Sequence, residues 1–203
     1  MTFPVLFPIY PSCSSQSFCA VWPGVSRAVT QRFRRHPEQR ALYAFVHAAS
    51  RCTLSGADII DAVGAGVDVN GLRWGCAALH HAVQNDDRAA VTALLAAGAD
   101  VNLRSGTGAT PVWLAARGGS ACVLQQLIDS GGSVNDTDSD GIPPSIAILK
   151  DDSSDDAVTR LRILLSRPEL DIHATCDGQT AEYWAREADR QDLFKEVVAE
   201  VCK

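Results

Sequence analysis

The chain has 203 residues, of which 46% are hydrophobic and 21% charged, a composition typical of a folded domain and not of a disordered, collagen-like or coiled-coil protein. Its net charge of −6 disfavours nucleic acid and membrane surfaces as partners, and the absence of an apolar run of about eighteen residues excludes a membrane span. Seven scattered cysteines without a Cys-x-x-Cys pair disfavour a zinc site and a disulfide framework, and indicate reduced thiols in an intracellular protein.

Residues 1–40 are predicted to be a leader that is separate from the rest of the chain. Residues 1–37 contain four arginines and no acidic side chain, and prolines among the first eleven residues exclude a helix and interrupt any secretory signal. In residues 22–35 apolar side chains fall near one helical face with arginines mostly opposite, a pattern typical of mitochondrial transit peptides. An irregular leader with a capping helix and a targeting segment both remain open.

An internal repeat dominates the remainder of the chain. Gly75, Gly108, Gly141 and Gly178 begin similar segments at spacings of 33, 33 and 37 residues. The segment GCAALHHAVQNDDRAAVTALLAAGADVN aligns with GATPVWLAARGGSACVLQQLIDSGGSVN, sharing a small-residue turn, an Ala-rich helix, a Leu-bearing helix, a glycine stop and Val-Asn. Upstream, GVDVN matches GADVN 32 residues later, which indicates a degenerate first unit.

The second clear unit explains the repeat in physical terms. Thr110 is suited to cap a helix that starts at Pro111, whose fixed φ and missing donor fit a first helical position. Apolar residues then recur at three- and four-residue steps in the next helix, and Gly131 can end it in the left-handed conformation. These apolar residues are Val123, Leu124, Leu127 and Ile128.

Such units closely resemble ankyrin repeats. The resemblance implies an all-α solenoid of helix-turn-helix units with short β-like fingers over residues 41–203, with about four clear repeats after a degenerate N-terminal one. The expected units are residues 41–72, 73–105, 106–138, 139–175 and 176–203.

Three departures from the family pattern predict local differences. Ala77 replaces the capping threonine of the first clear unit, although His80 keeps the place of the histidine that ties adjacent turns together in this family. Trp113 takes that place in the next unit. In the following unit, Pro143 and Pro144 predict a short or tilted first helix of low local stability.

Candidate catalytic and metal sites are weak. Asp136, Asp138 and Asp140 with Gly141 match the opening of a calcium loop, but Ala147 stands where a bidentate glutamate is required, so an ankyrin finger is the preferred interpretation. The motifs of hydrolases, metalloproteases and nucleotide-binding enzymes are also missing. The sequence therefore predicts no catalytic residue, no metal and no cofactor.

Two surface features could instead bind a partner. An acidic run is expected in a solvated loop, with a docking patch for a basic partner as the alternative; it consists of Asp151, Asp152, Asp155 and Asp156. By the resemblance, a concave surface of finger tips and first helices binds a protein. Its candidate residues are Arg73, Trp74, Gln84, Asn85, Arg104, Thr107, Arg117, Asp138, Ser139 and Asp140. For Trp74, local packing within the finger is an equal alternative.

The resemblance thus predicts a non-enzymatic interaction module, an adaptor or scaffold for a protein partner. A regulatory or inhibitory subunit that blocks an enzyme through the same surface is the alternative. Trp and Arg on successive units suit such an interface, because both combine large contact area with directional donors. The chain is expected to be a monomer in the cytoplasm or nucleus, or in mitochondria if residues 1–37 are a transit peptide, without nucleic acid or membrane partners.

Overall fold

The computed structural model describes residues 37–151 and 155–187, together with residues 191, 194, 195, 198 and 199. Residues from Ala41 onward form one compact unit. The predicted leader and its candidate targeting segment, up to residue 36, lie outside the described residues.

Within the described part of the chain, helices follow one another in helix-turn-helix pairs. The first helices of the pairs are α1 (Pro37–Ser50), α3 (Ala78–Gln84), α5 (Pro111–Gly118), α7 (Pro144–Asp151) and α9 (Ala181–Glu187). The second helices are α2 (Gly56–Gly64), α4 (Arg88–Ala96), α6 (Ala121–Asp129) and α8 (Asp155–Leu165). Two short strands, β1 (Thr175–Cys176) and β2 (Gln179–Thr180), form an antiparallel hairpin before α9.

These helices stack in two rows. Helix α3 packs against α5, α5 against α7, and α7 against α9. The second row runs parallel to it, since α2 contacts α4, α4 contacts α6, and α6 contacts α8. Each repeat thereby buries the apolar stripes that two short helices cannot cover alone. The predicted all-α solenoid is confirmed.

Side-chain caps begin several of the helices in the described residues, and the Thr110 cap that the sequence predicts is one of them. The Thr110 hydroxyl accepts the N–H of Trp113 at 3.2 Å, directly before Pro111 at the first helical position. Ser120 caps α6 in the same way, and Ser55 caps α2. Ala77 offers no side-chain cap to α3. In this position a hydroxyl oxygen accepts a hydrogen bond from a backbone N–H of the first helical turn, which has no acceptor within the helix.

The core lies between the two rows of helices. Val123, Leu124 and Leu127 of α6 are fully buried, as the spacing predicts, and Ile128 packs at the edge of the core. Small side chains of α5, Ala115 and Ala116, are also buried and allow close approach of the neighbouring helix. This packing supplies most of the folding free energy, because burial of apolar surface is its dominant favourable term.

The first and fourth fingers share a two-residue turn. In the first finger, residues 73–76, the turn residues Trp74 and Gly75 both have positive φ, of 51° and 81°, and two backbone hydrogen bonds of 2.8 and 3.0 Å close it. The fourth finger, residues 175–180, repeats this turn with Asp177 at the position of Trp74, with a φ of 54°.

The second and third fingers have longer turns that stack on one another. In residues 105–109 and 138–142 the first N–H donates to the fifth carbonyl, at 2.9 and 3.2 Å. The Ser139 N–H then donates to the Thr107 carbonyl at 3.0 Å. Gly108 permits this approach, because a Cβ there would lie 2.7 Å from the Ser139 nitrogen.

Two expectations for the third clear unit are wrong in part. Helix α7 has eight residues, as many as α5, so the expected shortening is wrong, whereas a tilted helix and low local stability stay predictions. The reason is that Pro144 takes the first helical position, where proline is well accommodated. The acidic residues expected in the following loop are partly helical, because Asp151 ends α7 and Asp155 and Asp156 begin α8. Asp152 lies outside the described residues.

Candidate protein-binding surface

Asparagines at the base of the fingers tie successive repeats together. The Asn102 side chain donates to the Gly131 carbonyl at 3.2 Å and accepts the Ser133 N–H at 2.8 Å. Asn70 and Asn135 make equivalent bonds in the repeats before and after. Each asparagine thus holds the backbone of the following repeat with both a donor and an acceptor. A surface built on this scaffold is ordered before any partner arrives, which lowers the entropy lost on binding.

A second set of ties joins the first helices to the next finger. Nδ1 of the buried His80 accepts the Ala77 N–H at 3.1 Å, and Nε2 donates to the Leu103 carbonyl at 3.0 Å. Burial lowers the pKa of His80, which favours the neutral ring that this geometry requires. Trp113 does the same one repeat later, since its indole N–H donates to the Ile142 carbonyl at 2.8 Å. The predicted role of His80 is confirmed.

The first finger presents an exposed indole beside a cation. The Trp74 side chain is 66% exposed, and its ring meets that of Tyr43 edge to face at a centroid distance of 5.1 Å. The Arg73 guanidinium carbon lies 5.3 Å from the Tyr43 ring centroid and 5.7 Å from that of Trp74. Arg73 and Trp74, both predicted from the sequence, are thus in direct contact; Tyr43, which completes the cluster from α1, was not predicted.

Exposed polar side chains follow one register along the first helices. Gln84 and Arg117 occupy the same place in successive repeats, nine residues after the finger glycine, and both are exposed. Lys150 takes this place in the next repeat and is exposed too. Its ammonium lies 4.2 Å from the Trp184 ring centroid, and the Arg117 guanidinium lies 5.5 Å from that of Trp113. The sequence analysis missed Lys150, although the 33-residue spacing identifies it.

Other predicted surface residues hold the stack together. Arg104 donates to the Thr137 carbonyl at 2.6 Å and pairs with Asp136 at 3.5 Å, so it links the second finger to the third. Thr107 is exposed, but its carbonyl carries the backbone bond between the same fingers. The Asn85 amide donates to a carbonyl in the last turn of α1 at 3.0 Å. Arg104 and Asn85 through their side chains, and Thr107 through its backbone, therefore join neighbouring repeats.

In the third finger, Asp138 holds the turn together, whereas Asp140 is exposed at its tip. The Asp138 carboxylate accepts the N–H of Asp140 at 3.1 Å and that of Ile142 at 2.9 Å, which closes the turn. Ser139 and Asp140 are exposed at the tip. A carboxylate that already accepts two backbone donors satisfies the finger's own hydrogen bonds. This is the ankyrin-finger arrangement that the sequence favoured over a calcium loop.

Cysteine thiols, metal-binding groups and membrane-spanning helices are further features that the described residues allow us to assess. Their four cysteines are free thiols, Cys52 and Cys122 exposed, Cys76 half-buried and Cys176 buried. Within the same residues, groups of three or more His, Cys, Asp or Glu side chains that could hold a metal ion do not occur. No helix in this part of the chain is long and apolar enough to cross a membrane.

Comparison with known proteins agrees with this architecture. A family model described as ankyrin repeats, in three copies, matches residues 45–138 and 79–161. These matches together cover more than half of the chain, which therefore belongs to the ankyrin-repeat family. None of the curated proteins matches it. Ankyrin repeats are generally protein–protein interaction modules, and domains built from them are typically non-enzymatic.

Proposed function

We propose that this chain is a non-enzymatic adaptor that binds a protein partner across the finger tips and first helices. The observation that supports it most is the row of exposed side chains Gln84, Arg117 and Lys150 at one register of successive repeats, together with the exposed Trp74 of the first finger. A partner lying along the stack contacts these side chains together. Because asparagine and histidine ties hold neighbouring repeats, the surface loses little entropy on binding.

The charge of this surface defines the kind of partner. Arg104 and Asp138 are engaged within the fingers. Exposed charged residues on this surface include Arg117 and Lys150 on the helices and Asp140 at the third finger tip. A partner with complementary charges is attracted and oriented along the stack, and its association rate falls as salt rises.

The test is affinity capture with the full chain and its charge-reversed variant, Arg117→Glu with Lys150→Glu. The matched control is Arg88→Glu, which reverses an exposed charge at the start of α4 in the other row of helices. Proteins retained by the wild type and the control but lost by the variant support the proposal. Equal retention by all three folded proteins contradicts it.

Captured partners also decide between an adaptor and an inhibitory subunit. If a partner is an enzyme, its rate is measured with and without an excess of this chain. An unchanged rate supports an adaptor, whereas inhibition that the charge-reversed variant does not cause supports an inhibitory subunit.

We further propose a monomer in the cytoplasm or nucleus, consistent with the free thiols of the described residues. Sedimentation and fluorescence microscopy of the tagged chain test both statements.

A further inference from the structure

Asn70 differs from the other two asparagines that tie successive repeats by the residue that follows it. Asn102 is followed by a leucine and Asn135 by an aspartate, whereas Asn70 is followed by Gly71. Because glycine has no Cβ, its nitrogen approaches the side-chain carbonyl carbon of the preceding asparagine with the least steric hindrance. That attack begins deamidation, the reaction that makes asparagine a thermolabile residue. Deamidation chemistry thus distinguishes one of three otherwise equivalent ties.

The folded chain holds the two reacting groups apart. The Gly71 N–H donates to the Asp68 carbonyl at 3.0 Å, so it is directed toward that oxygen. The Asn70 side chain accepts the Asp100 N–H at 2.8 Å and donates to the Gly98 carbonyl at 3.4 Å. These bonds join the first repeat (α1 and α2) to the second (α3 and α4). Asn70 must leave them before its side chain can react with Gly71, so the reaction requires local opening of this junction.

The amide of Asn70 is also held by the longest donor bond of the three. Its Nδ2 lies 3.4 Å from the Gly98 carbonyl oxygen, whereas the equivalent distances are 3.2 Å at Asn102 and 2.6 Å at Asn135. An N–H···O bond is weaker beyond the usual range of about 2.7–3.2 Å. The asparagine that is best placed to deamidate is therefore also the one whose amide nitrogen is held least firmly.

The products of deamidation do not fit this junction. Aspartate keeps an acceptor for the Asp100 N–H but has no donor for the Gly98 carbonyl, and it places a negative charge beside that oxygen. Isoaspartate adds a carbon atom to the backbone before Gly71, which is buried. A Cβ on Gly71 would lie 2.6 Å from Cδ1 of Leu42 in α1, so additional backbone length displaces that side chain. Either product therefore weakens the attachment of the first repeat.

We propose that Asn70 with Gly71 forms a deamidation site, which reacts when the first repeat opens and then keeps that repeat loosely attached. The Gly71 nitrogen forms a bond to Cγ of Asn70, the Cγ–Nδ2 bond breaks, and the Gly71 amide proton leaves with Nδ2 as ammonia. Water then hydrolyses the cyclic imide to a carboxylic acid and an amide, which leaves aspartate or isoaspartate at this position. The inference does not depend on the proposed function.

The direct test compares the three asparagines in one sample. The full chain is incubated in mildly alkaline buffer made with ¹⁸O water, which labels only the acid formed during incubation, and is then digested with trypsin in ordinary water. Cleavage after arginine and lysine places Asn70, Asn102 and Asn135 on separate peptides, residues 52–73, 89–104 and 118–150. We expect Asn70 to deamidate at least about tenfold faster than the other two. Equal rates, or no label in residues 52–73, overturn the proposal.

A second measurement tests the requirement for opening. The Asn85 amide donates to the Ala49 carbonyl of α1, so Asn85→Ala loosens the first repeat without changing Asn70. Thr92→Val is the matched control, because it removes the bond that Thr92 accepts from Gln126 at the next junction. We expect Asn70 to deamidate roughly fivefold faster in Asn85→Ala, and in wild type at urea concentrations below its unfolding transition, but not in Thr92→Val. Acceleration by neither treatment contradicts the inference.

The effect of the product is measured with Asn70→Asp, which has the aspartate that deamidation leaves. We expect its Tm to fall by about 2–4 °C, because the Gly98 carbonyl loses its donor. Gln179→Glu makes the same amide-to-acid exchange at an exposed side chain of β2 and should leave Tm unchanged within about 1 °C. Equal Tm values for Asn70→Asp and the wild type would show that the product leaves the junction intact, and the inference would be wrong.

Discussion

Arg160 is the most unusual residue of the core, and its replacement by methionine tests how the repeats are joined. Its side chain is 1% exposed, although it belongs to α8 in the row of second helices. One guanidinium nitrogen donates to the Ala116 carbonyl at 2.8 Å and lies 3.4 Å from that of Ala115, both in the last turn of α5. Arg160 thus caps the C-terminal end of a helix in the preceding repeat, where carbonyls lack helical donors.

The expected change in the free energy of unfolding follows from which parts of the Arg160 side chain methionine keeps and which it removes. Methionine retains most of the buried aliphatic volume, so the cavity it leaves is small. It removes the donor of the Ala116 carbonyl, and a buried acceptor without a partner costs about 1–3 kcal/mol. Ser120, four residues further on, cannot replace that donor without losing the bond from its N–H to Asp86 at 3.3 Å. We expect Arg160→Met to lower the free energy of unfolding by about 2 kcal/mol, or roughly 4–8 °C in Tm.

The assay is urea and thermal unfolding of the full chain followed by circular dichroism. Arg88→Met is the matched control, because Arg88 begins α4 in the same row of helices with an exposed side chain, and its change should stay within about 0.5 kcal/mol. Buried charges are expensive to desolvate, and in some proteins apolar replacements are more stable. An Arg160→Met variant as stable as the wild type, with an unchanged dependence on urea, would show that desolvation outweighs the capping bonds and would refute this reasoning.

Three further perturbations test the individual elements. Burial lowers the pKa of His80 from its ordinary 6.5, so the unfolded chain binds a proton at this residue more readily than the folded chain does. The free energy of unfolding should therefore fall as the pH drops below about 6.5, and it should fall less steeply in His80→Gln. Urea denaturation of both proteins at about pH 7.5 and 5.5 tests this. Thr110 is buried, so Thr110→Ala and Thr110→Ser both lose its methyl group, but only Thr110→Ala also removes the helix cap. Thr110→Ala should therefore cost about 1 kcal/mol more than Thr110→Ser in urea unfolding, and equal losses would contradict the capping role. Gly108→Ala places a Cβ at positive φ and 2.7 Å from the Ser139 nitrogen, whereas Gly141→Ala places one at positive φ with no atom within 4 Å. Gly108→Ala should therefore lower Tm more than Gly141→Ala does. Equal Tm values would rule out a steric clash at Gly108.

Local features of the fold could be predicted from the sequence because they depend on residues close together in the chain. The Thr110–Pro111 start of α5 and the apolar stripe of α6 are properties of a single unit, and the 33-residue period shows that the units stack. Lys150 could also have been found by extending the register of Gln84 and Arg117 by one more repeat.

What the sequence could not reveal depends on side chains that cross from one repeat to the next. Arg160 resembles the exposed Arg162 of the same helix, and only the position of α5 shows that the Arg160 guanidinium finds carbonyls there. Arg104 appeared to be a surface cation, yet the third finger supplies the Thr137 carbonyl and the Asp136 carboxylate that engage it. A pattern within one unit specifies which face a side chain is on, but not what the neighbouring unit offers it.

The fingers differ in how they use polar side chains, and under the proposed function this difference bears on where a partner would bind. In the second and third fingers Arg104 and Asp138 hold backbone groups, so a partner would have to compete with bonds that the stack needs. The tight turn of the first finger is closed by two backbone bonds between Arg73 and Cys76, and the Trp74 side chain at this turn is exposed. The longer turns of the second and third fingers thus add side-chain bonds to the backbone bond that closes each of them, and a partner that binds there would have to leave both kinds of bond intact.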